Sequence, residues 1–209
     1  MQLPVQRQDA GSDHSSLPSI LVDTPPAMKI PRVVVVIPTT GTRFLSKCLE
    51  SVQKQTLLGV IHLIVIDGPE HAEKVHAILE PFLNKMPLHV MVLPFNAGAN
   101  GWNGHRIYAS MVMLLDYDFI AYLDEDNHYD PDHLELMHNL VVQDNLDWAF
   151  PLRKTIDTDG KFLALDNCES LGNMSHTVLS WNDFLVDTSC YFLTQKVAQA
   201  ISPYWMHKA

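Results

Sequence analysis

Four apolar runs, each closed by a polar or glycine-rich loop and separated by stretches of helical periodicity, constrain this chain more than any other feature. Val33-Val34-Val35-Val36-Ile37 is β-branched throughout and ends at Pro38. Leu63-Ile64-Val65-Ile66 ends at Asp67-Gly68-Pro69, His89-Val90-Met91-Val92-Leu93 at Pro94, and Phe119-Ile120-Ala121-Tyr122-Leu123 at Asp124. Strands buried on both faces of a parallel sheet need such runs, without polar alternation. Between them, Phe44, Leu45, Cys48, Leu49 and Val52 recur at helical spacing, as do Val75, Ile78, Leu79, Phe82 and Leu83. A third helix is expected around Arg106 to Leu115. The order β-α-β-α-β-α-β predicts an α/β fold with a mostly parallel central sheet flanked by helices, Rossmann-like in its ligand-binding half. Right-handed crossovers bring the C-terminal ends of all four strands to one edge, where open α/β sheets bind ligands.

That edge is expected to collect Pro38-Thr39-Thr40-Gly41-Thr42, Asp67-Gly68, the loop from Asn96 to Gly104, and Asp124-Glu125-Asp126-Asn127. The acidic triple carries the most weight. Three adjacent carboxylates repel one another unless a counter-charge is present, and a hard cation such as Mg²⁺ or Mn²⁺ takes one or two carboxylates together with substrate phosphates. Residues i and i+2 leaving a strand point the same way, so Asp124 and Asp126 are expected to converge while Glu125 points elsewhere. The competing role is a solvated acidic turn that caps the next helix. Asp130-Pro131 already offers a cap and a first-turn proline for it.

Other rim residues have two readings each. Asp67 either accepts hydrogen bonds from a nucleobase or ribose, or serves the Asp-Gly turn. Thr39 and Thr40 either bond a base or ribose, or cap the helix near Arg43. Gly98, Gly101 and Gly104 do not fit the dinucleotide fingerprint, because Asn100 and Asn103 stand where that spacing needs glycine. They are expected to let the loop turn and pass close to a ligand or strand. Arg106 either pairs with a phosphate through its planar donors or makes a surface ion pair. Among eleven histidines none forms HExxH, and His128 either joins the acids as a ligand or is a hydrogen-bonded loop residue.

Composition excludes some partners. A net charge of -10 argues against a nucleic acid, which needs clustered Lys and Arg. Three scattered cysteines, Cys48, Cys168 and Cys190, suggest neither a disulfide scaffold nor a zinc knuckle, and a reducing, cytoplasmic setting is expected. No apolar run reaches the roughly 18 to 20 residues of a membrane span, and no signal peptide is expected; peripheral membrane contact stays open. Residues 1–31 are polar and proline-rich and read as a flexible leader, against an alternative of an arm packed on the domain.

The stretches VVVVIPTTGT, FLSKCLESVQKQTL, HLIVIDGPE, NAGANGWNGHRIYASM and FIAYLDEDNHYDPDHL, in that order over residues 33–127 and just beyond, resemble the nucleotide-binding half of family-2 glycosyltransferases with a GT-A fold. A weaker match continues at LVDTSCYFLTQKVAQAI. The resemblance implies one GT-A-type domain over residues 32–209, with a nucleotide-binding half at about 32–127 and a partial acceptor-side half at about 128–209. It implies a nucleoside-diphosphate sugar, a UDP-sugar favoured, bound with Mn²⁺ or Mg²⁺, and transfer with inversion to an unknown acceptor. Pro38, Thr39, Thr40, Asp67, Gly98, Arg106, Asp124 and Glu125 then form the nucleotide and sugar site. Within it, Thr39 and Asp67 meet the base, Arg106 lies near base or phosphate, Asp124 touches ribose or sugar, and Asp126, joined by Asp124, ligates the metal.

Two departures stand out. Ile66-Asp67 replaces a common Asp-Asp pair, and the general base is expected in an acidic motif downstream of DTSCYFL. The nearest acids are Asp183 and Asp187; Asp187 carries the catalytic expectation although it matches a position upstream of the base. Two other readings are a sugar-nucleotide-binding protein without turnover and, remotely, a haloacid-dehalogenase-type phosphohydrolase, which also ends a strand in Asp-x-Asp.

Overall fold

The computed structural model describes residues 30–85, 87–173 and 185–206. The expected leader falls outside these residues except for its end at Ile30 and Pro31, and Asp183 lies outside them as well.

The first four strands are β1 (Val33–Thr39), β2 (Val60–Ile66), β3 (Leu88–Val92) and β4 (Phe119–Tyr122). Helices α1 (Leu45–Gln53), α2 (Ala72–Leu79) and α3 (His105–Leu114) connect them. After β4 come α4 (His133–Gln143), the short strands β5 (Trp148–Ala149), β6 (Lys154–Ile156) and β7 (Phe162–Leu165), then β8 (Phe192–Thr194) and α5 (Gln195–Ile201). The main sheet has six strands in the order β3-β2-β1-β4-β8-β5, while β6 and β7 form a separate antiparallel ribbon. The first four strands are parallel, with Val33 paired to Val60 on one side and to Phe119 on the other. β8 runs antiparallel to β4, with Phe119 opposite Thr194.

The unbroken apolar run of β1 has its reason in two cores. Val33, Val35 and Ile37 pack with Leu45, Leu49, Val75 and Leu134 on the face covered by α1, α2 and α4. Val34 and Val36 pack with Ile107, Tyr108, Met111 and Ala198 on the face covered by α3 and α5. Burial on both faces is why Val33 to Ile37 are apolar at every position.

The start of α4 differs from the expectation. Asp130-Pro131 does not cap it; the helix begins at His133 after Asp132, whose own side chain makes no cap bond, and Leu134 N–H donates to the Gln55 side-chain oxygen at 2.9 Å. The Asp130 carboxylate is instead paired with Lys154 at the start of the ribbon. With the Gln55 side chain meeting the first turn from just past α1, a local cap from Asp130 is not required. The 128–209 half also contributes β8 and β5 to the main sheet rather than standing apart from it.

Candidate functional site

The parallel register places the ends of β1, β2 and β4 side by side, with the loop after β3 beside β2. Asp67 N–H donates to the Thr39 carbonyl at 2.9 Å, and Leu93 N–H to that of Ile66 at 2.9 Å. Along this edge lies a cavity of about 580 Å³. It is lined by Pro38, Thr39, Thr40, Asp67, Gly98, Asp124, Glu125 and Asp126, eight of the residues singled out by the sequence.

Each of those residues has a definite setting. Asp67 is buried, and its two carboxylate oxygens accept from Ala97 N–H at 2.5 Å and Gly98 N–H at 2.9 Å. The carboxylate therefore fastens the loop after β3 to the end of β2. Gly98 has no room for a side chain, because a Cβ there would lie 2.6 Å from the Asp67 carboxylate. Gly68 sits at φ 114°, the left-handed region that a turn directly after Asp67 needs. The Asp67-Gly68 pair thus combines turn chemistry with loop anchoring.

The acidic triple leaves β4 in a turn, Asn127 N–H donating to the Asp124 carbonyl at 3.0 Å. Asp124 accepts a hydrogen bond from the buried Tyr108 hydroxyl at 2.7 Å. Its backbone N–H donates to the Ser189 hydroxyl at 3.1 Å. Burial raises the Asp124 carboxyl above its ordinary range; the Tyr108 hydrogen bond opposes this, and the charges of Asp126 and Asp187 add to it. Burial, reinforced by the Asp124 charge, keeps the Tyr108 phenol a donor. Asp126 is exposed and makes no hydrogen bond or ion pair to another described residue. Glu125 turns away from both, toward the β1 loop.

Thr39 and Thr40 both give their hydroxyls to Glu125, at 2.6 and 3.2 Å. Neither caps α1, which has no side-chain cap. Arg106 does not line the cavity; its guanidinium lies 3.9 Å over the Trp102 ring. His105, one residue earlier, lines the cavity instead, with its ring edge-on to Trp205. Asp187 lies outside this cavity, in a neighbouring cleft of about 450 Å³ that Asp126 also borders. One Asp187 oxygen accepts from Arg153 at 2.7 Å and the other from Ser189 N–H at 3.0 Å. His128 is exposed in that cleft beside Asp126.

Tyr108, His105 and Ser189 were not legible as site residues. Tyr108 and His105 sit in a helix pattern that reads as core and surface. Ser189 arrives because β8 runs antiparallel to β4, so the start of β8 meets the end of β4. The DTSC stretch was the one available signal.

Two carboxylates on this edge are candidates to hold a cation. Among the described residues no group of three or more His, Cys, Asp or Glu side chains is gathered to cage a cation alone. Asp124, with one oxygen held by Tyr108, and the unengaged Asp126 form a two-carboxylate donor set of the kind that Mg²⁺ and Mn²⁺ complete with substrate phosphates.

Solved structures of S. aureus TarS share this fold. TarS 1-349 superposes with a TM-score of 0.57 at 15% identity, covering 81% of this chain and 48% of that one. TarS 1-349 in complex with UDP-GlcNAc gives a TM-score of 0.57 at 15% identity, covering 81% and 47%. The complex with UDP gives 0.57 at 16% identity, covering 81% and 48%. The present chain thus spans about half the length of these proteins. No curated protein sequence matches it significantly. The sequence profile described as Glycosyl transferase family 2 matches residues 34–198, most of the chain and all six strands of the main sheet, and the chain therefore belongs to that family.

Proposed function

We propose that this chain binds a nucleoside-diphosphate sugar in the cavity at the C-terminal edge of the sheet, with Mn²⁺ or Mg²⁺, and transfers the sugar with inversion to an acceptor hydroxyl. The observation that carries the reading is the pair Asp124 and Asp126 on that edge, one carboxylate oriented by Tyr108 and the other unengaged. Family membership supports glycosyl transfer. The TarS complexes with UDP-GlcNAc and UDP support a uridine nucleotide. Family membership leaves the phosphohydrolase reading without support.

In this reading Asp124 and Asp126 hold the cation. When bound, the cation supplies positive charge where the diphosphate leaving group develops negative charge. Tyr108 orients Asp124, and Ser189 anchors its backbone. Asp67 holds the loop after β3 in place, and Gly98 keeps that backbone close to the cavity. In-line displacement breaks the anomeric carbon–diphosphate bond as the acceptor oxygen bonds to the opposite face, the diphosphate leaving with the bond's electron pair and the acceptor's proton passing to solvent or to a base outside these residues. The acceptor would reach Asp126 from the neighbouring cleft. A cytoplasmic setting is part of the proposal, supported by three free cysteines; no helix among the described residues is long and apolar enough to cross a membrane.

A second reading, sugar-nucleotide binding without turnover, is favoured by the state of Asp187. A carboxylate held by Arg153 and a backbone N–H is a poor acceptor for the proton of an attacking hydroxyl. Asp187 is better suited to positioning the chain beside Asp124 than to acting as the base.

Calorimetric titration with UDP and UDP-sugars, with and without Mn²⁺, tests the donor site. Metal-dependent binding should be abolished in Asp126→Ala. Unchanged binding in that variant would remove Asp126 from the site. Binding without transfer or slow hydrolysis of the donor would select the second reading.

A further inference from the structure

The middle member of the acidic triple does work that neither neighbour does. Glu125 Oε2 accepts from the Thr39 hydroxyl at 2.6 Å and from Thr42 N–H at 2.8 Å. Its Oε1 accepts from Thr40 N–H at 3.0 Å and from the Thr40 hydroxyl at 3.2 Å. The Thr39 hydroxyl in turn accepts from Gly41 N–H at 2.9 Å, so one carboxylate organises the whole loop from Thr39 to Thr42. These bonds begin where the sheet stops. β1 and β4 are paired only as far as Val36 and Tyr122, with one further bond from Leu123 N–H to the Val36 carbonyl. Beyond that point Glu125 is the described side chain that joins the two strand ends.

We propose that Glu125 is a positioning residue, which clamps the β1 loop to the turn after β4 and thereby sets where Asp124 and Asp126 stand. It is not itself a contact of nucleotide, sugar or cation. Four donors converge on its two oxygens, two on each. A glutamine would turn an NH₂ group toward either Thr40 N–H or Thr42 N–H, neither of which has another partner among the described residues. Asp124 and Asp126 adjoin Glu125 in one tight turn, so displacement of its side chain reorients both. The clamp itself is independent of the ligand; its effect on nucleotide affinity rests on the donor-site reading above.

Two measurements on the full chain separate these layers. Hydrogen exchange is followed by mass spectrometry in the absence of ligand, and UDP affinity by calorimetry in the presence of Mn²⁺. Glu125→Gln should speed exchange both in 39–42 and in 124–127, and weaken UDP binding about tenfold or more, as for a lost set of charge-assisted bonds. Thr39→Val, a near-isosteric change on the buried side of the clamp, should produce a smaller effect of the same kind. The double variant should bind UDP no more weakly than Glu125→Gln alone, because both substitutions break one unit. Unchanged exchange in 124–127 in Glu125→Gln overturns the clamp, whatever the chain binds. Additive losses in the double variant overturn it too, since they would mean that Glu125 and Thr39 each touch the ligand. Coupled exchange in a folded chain that binds no UDP would leave the clamp standing and remove the donor-site reading instead.

Discussion

At the scale of single residues, neighbouring acids have separate tasks. Glu125 is consumed by the loop of β1, Asp124 is shared between Tyr108 and the cavity, and Asp126 faces solvent. The Tyr108 bond is the one that tunes. Burial raises the Asp124 carboxyl and the tyrosine hydroxyl pulls it back. Removing the hydroxyl in Tyr108→Phe takes away the larger of the two effects that oppose burial and like charge, leaving only the charge of His105, so the carboxyl should rise further. In the proposed donor site, metal-dependent UDP binding would need Asp124 ionised and would be lost as pH falls through its pKa. The loss should therefore begin at a higher pH in Tyr108→Phe than in the parent chain, as measured by titrations across pH 4 to 8, a range chosen to span roughly the ordinary Asp and His values. A superimposable pH profile would remove Tyr108 from this role.

At the scale of elements, the β6–β7 ribbon is tied to the site by one arginine. Arg153 reaches Asp166, Glu169 and Asp187, while Asp187 is linked through Ser189 to the backbone of Asp124. Asp166 is buried; that alone would raise its carboxyl, but the N–H groups of Glu169, Ser170 and Cys168, with Arg153, hold it well below the usual range. A depressed carboxylate contributes stability that is present above its unfolded value of 3.8 and is lost as pH falls through the folded value. Asp166→Asn should lower stability at pH 7 by about 2 kcal/mol, since its remaining oxygen can still accept from Cys168 and Glu169 N–H but an NH₂ group replaces the oxygen that accepts from Ser170 N–H and the guanidinium. It should also flatten the loss of stability that the parent chain shows in acid below about pH 4. Denaturant melts at pH 7 and pH 3 measure both, and equal slopes in the two proteins would contradict the assignment.

At the scale of the whole molecule, the buried sheet carries its own acid sensitivity. His62 on β2 is 2% exposed, its Nδ1 has no hydrogen-bond partner among the described residues, and burial lowers it to about 4. Burial, opposed by Asp130 and Asp132, also lowers His133 to about 4. Between about pH 6.5 and about pH 4 the unfolded chain takes up protons that the folded chain refuses, so stability should decline across that window. His62→Leu removes one of the two groups and fills the same space without an orphaned nitrogen. Its stability should match or exceed that of the parent at pH 7, and the difference should widen in its favour by pH 5. Thermal melts at both values provide the check, and a variant less stable at pH 5 than the parent would contradict it. This window lies above that of Asp166, so the two acid effects are separable in one titration.

Local pattern determined the half of the molecule that local pattern describes. The runs at Val33, Leu63 and Phe119 became parallel strands inside the sheet because burial on both faces demands apolar side chains, and that demand is written in consecutive residues; the run at His89 became the parallel edge strand β3, where His89, Val90 and Val92 are exposed rather than buried as expected. Their shared edge, and with it Pro38, Thr39, Thr40, Asp67, Gly98 and the acidic triple around one cavity, followed from crossover handedness. Tertiary structure alone decided which way each side chain on that edge turned. Arg106 and His105 are adjacent on a helix, and packing against Trp102 and Trp205 chose which of them faces the cavity. Glu125 found its four donors 83 to 86 residues away, and Ser189 reached Asp124 across a strand that runs in the opposite direction. Such contacts join distant parts of the chain, and no period or spacing records them; they exist only once the sheet has brought those parts together.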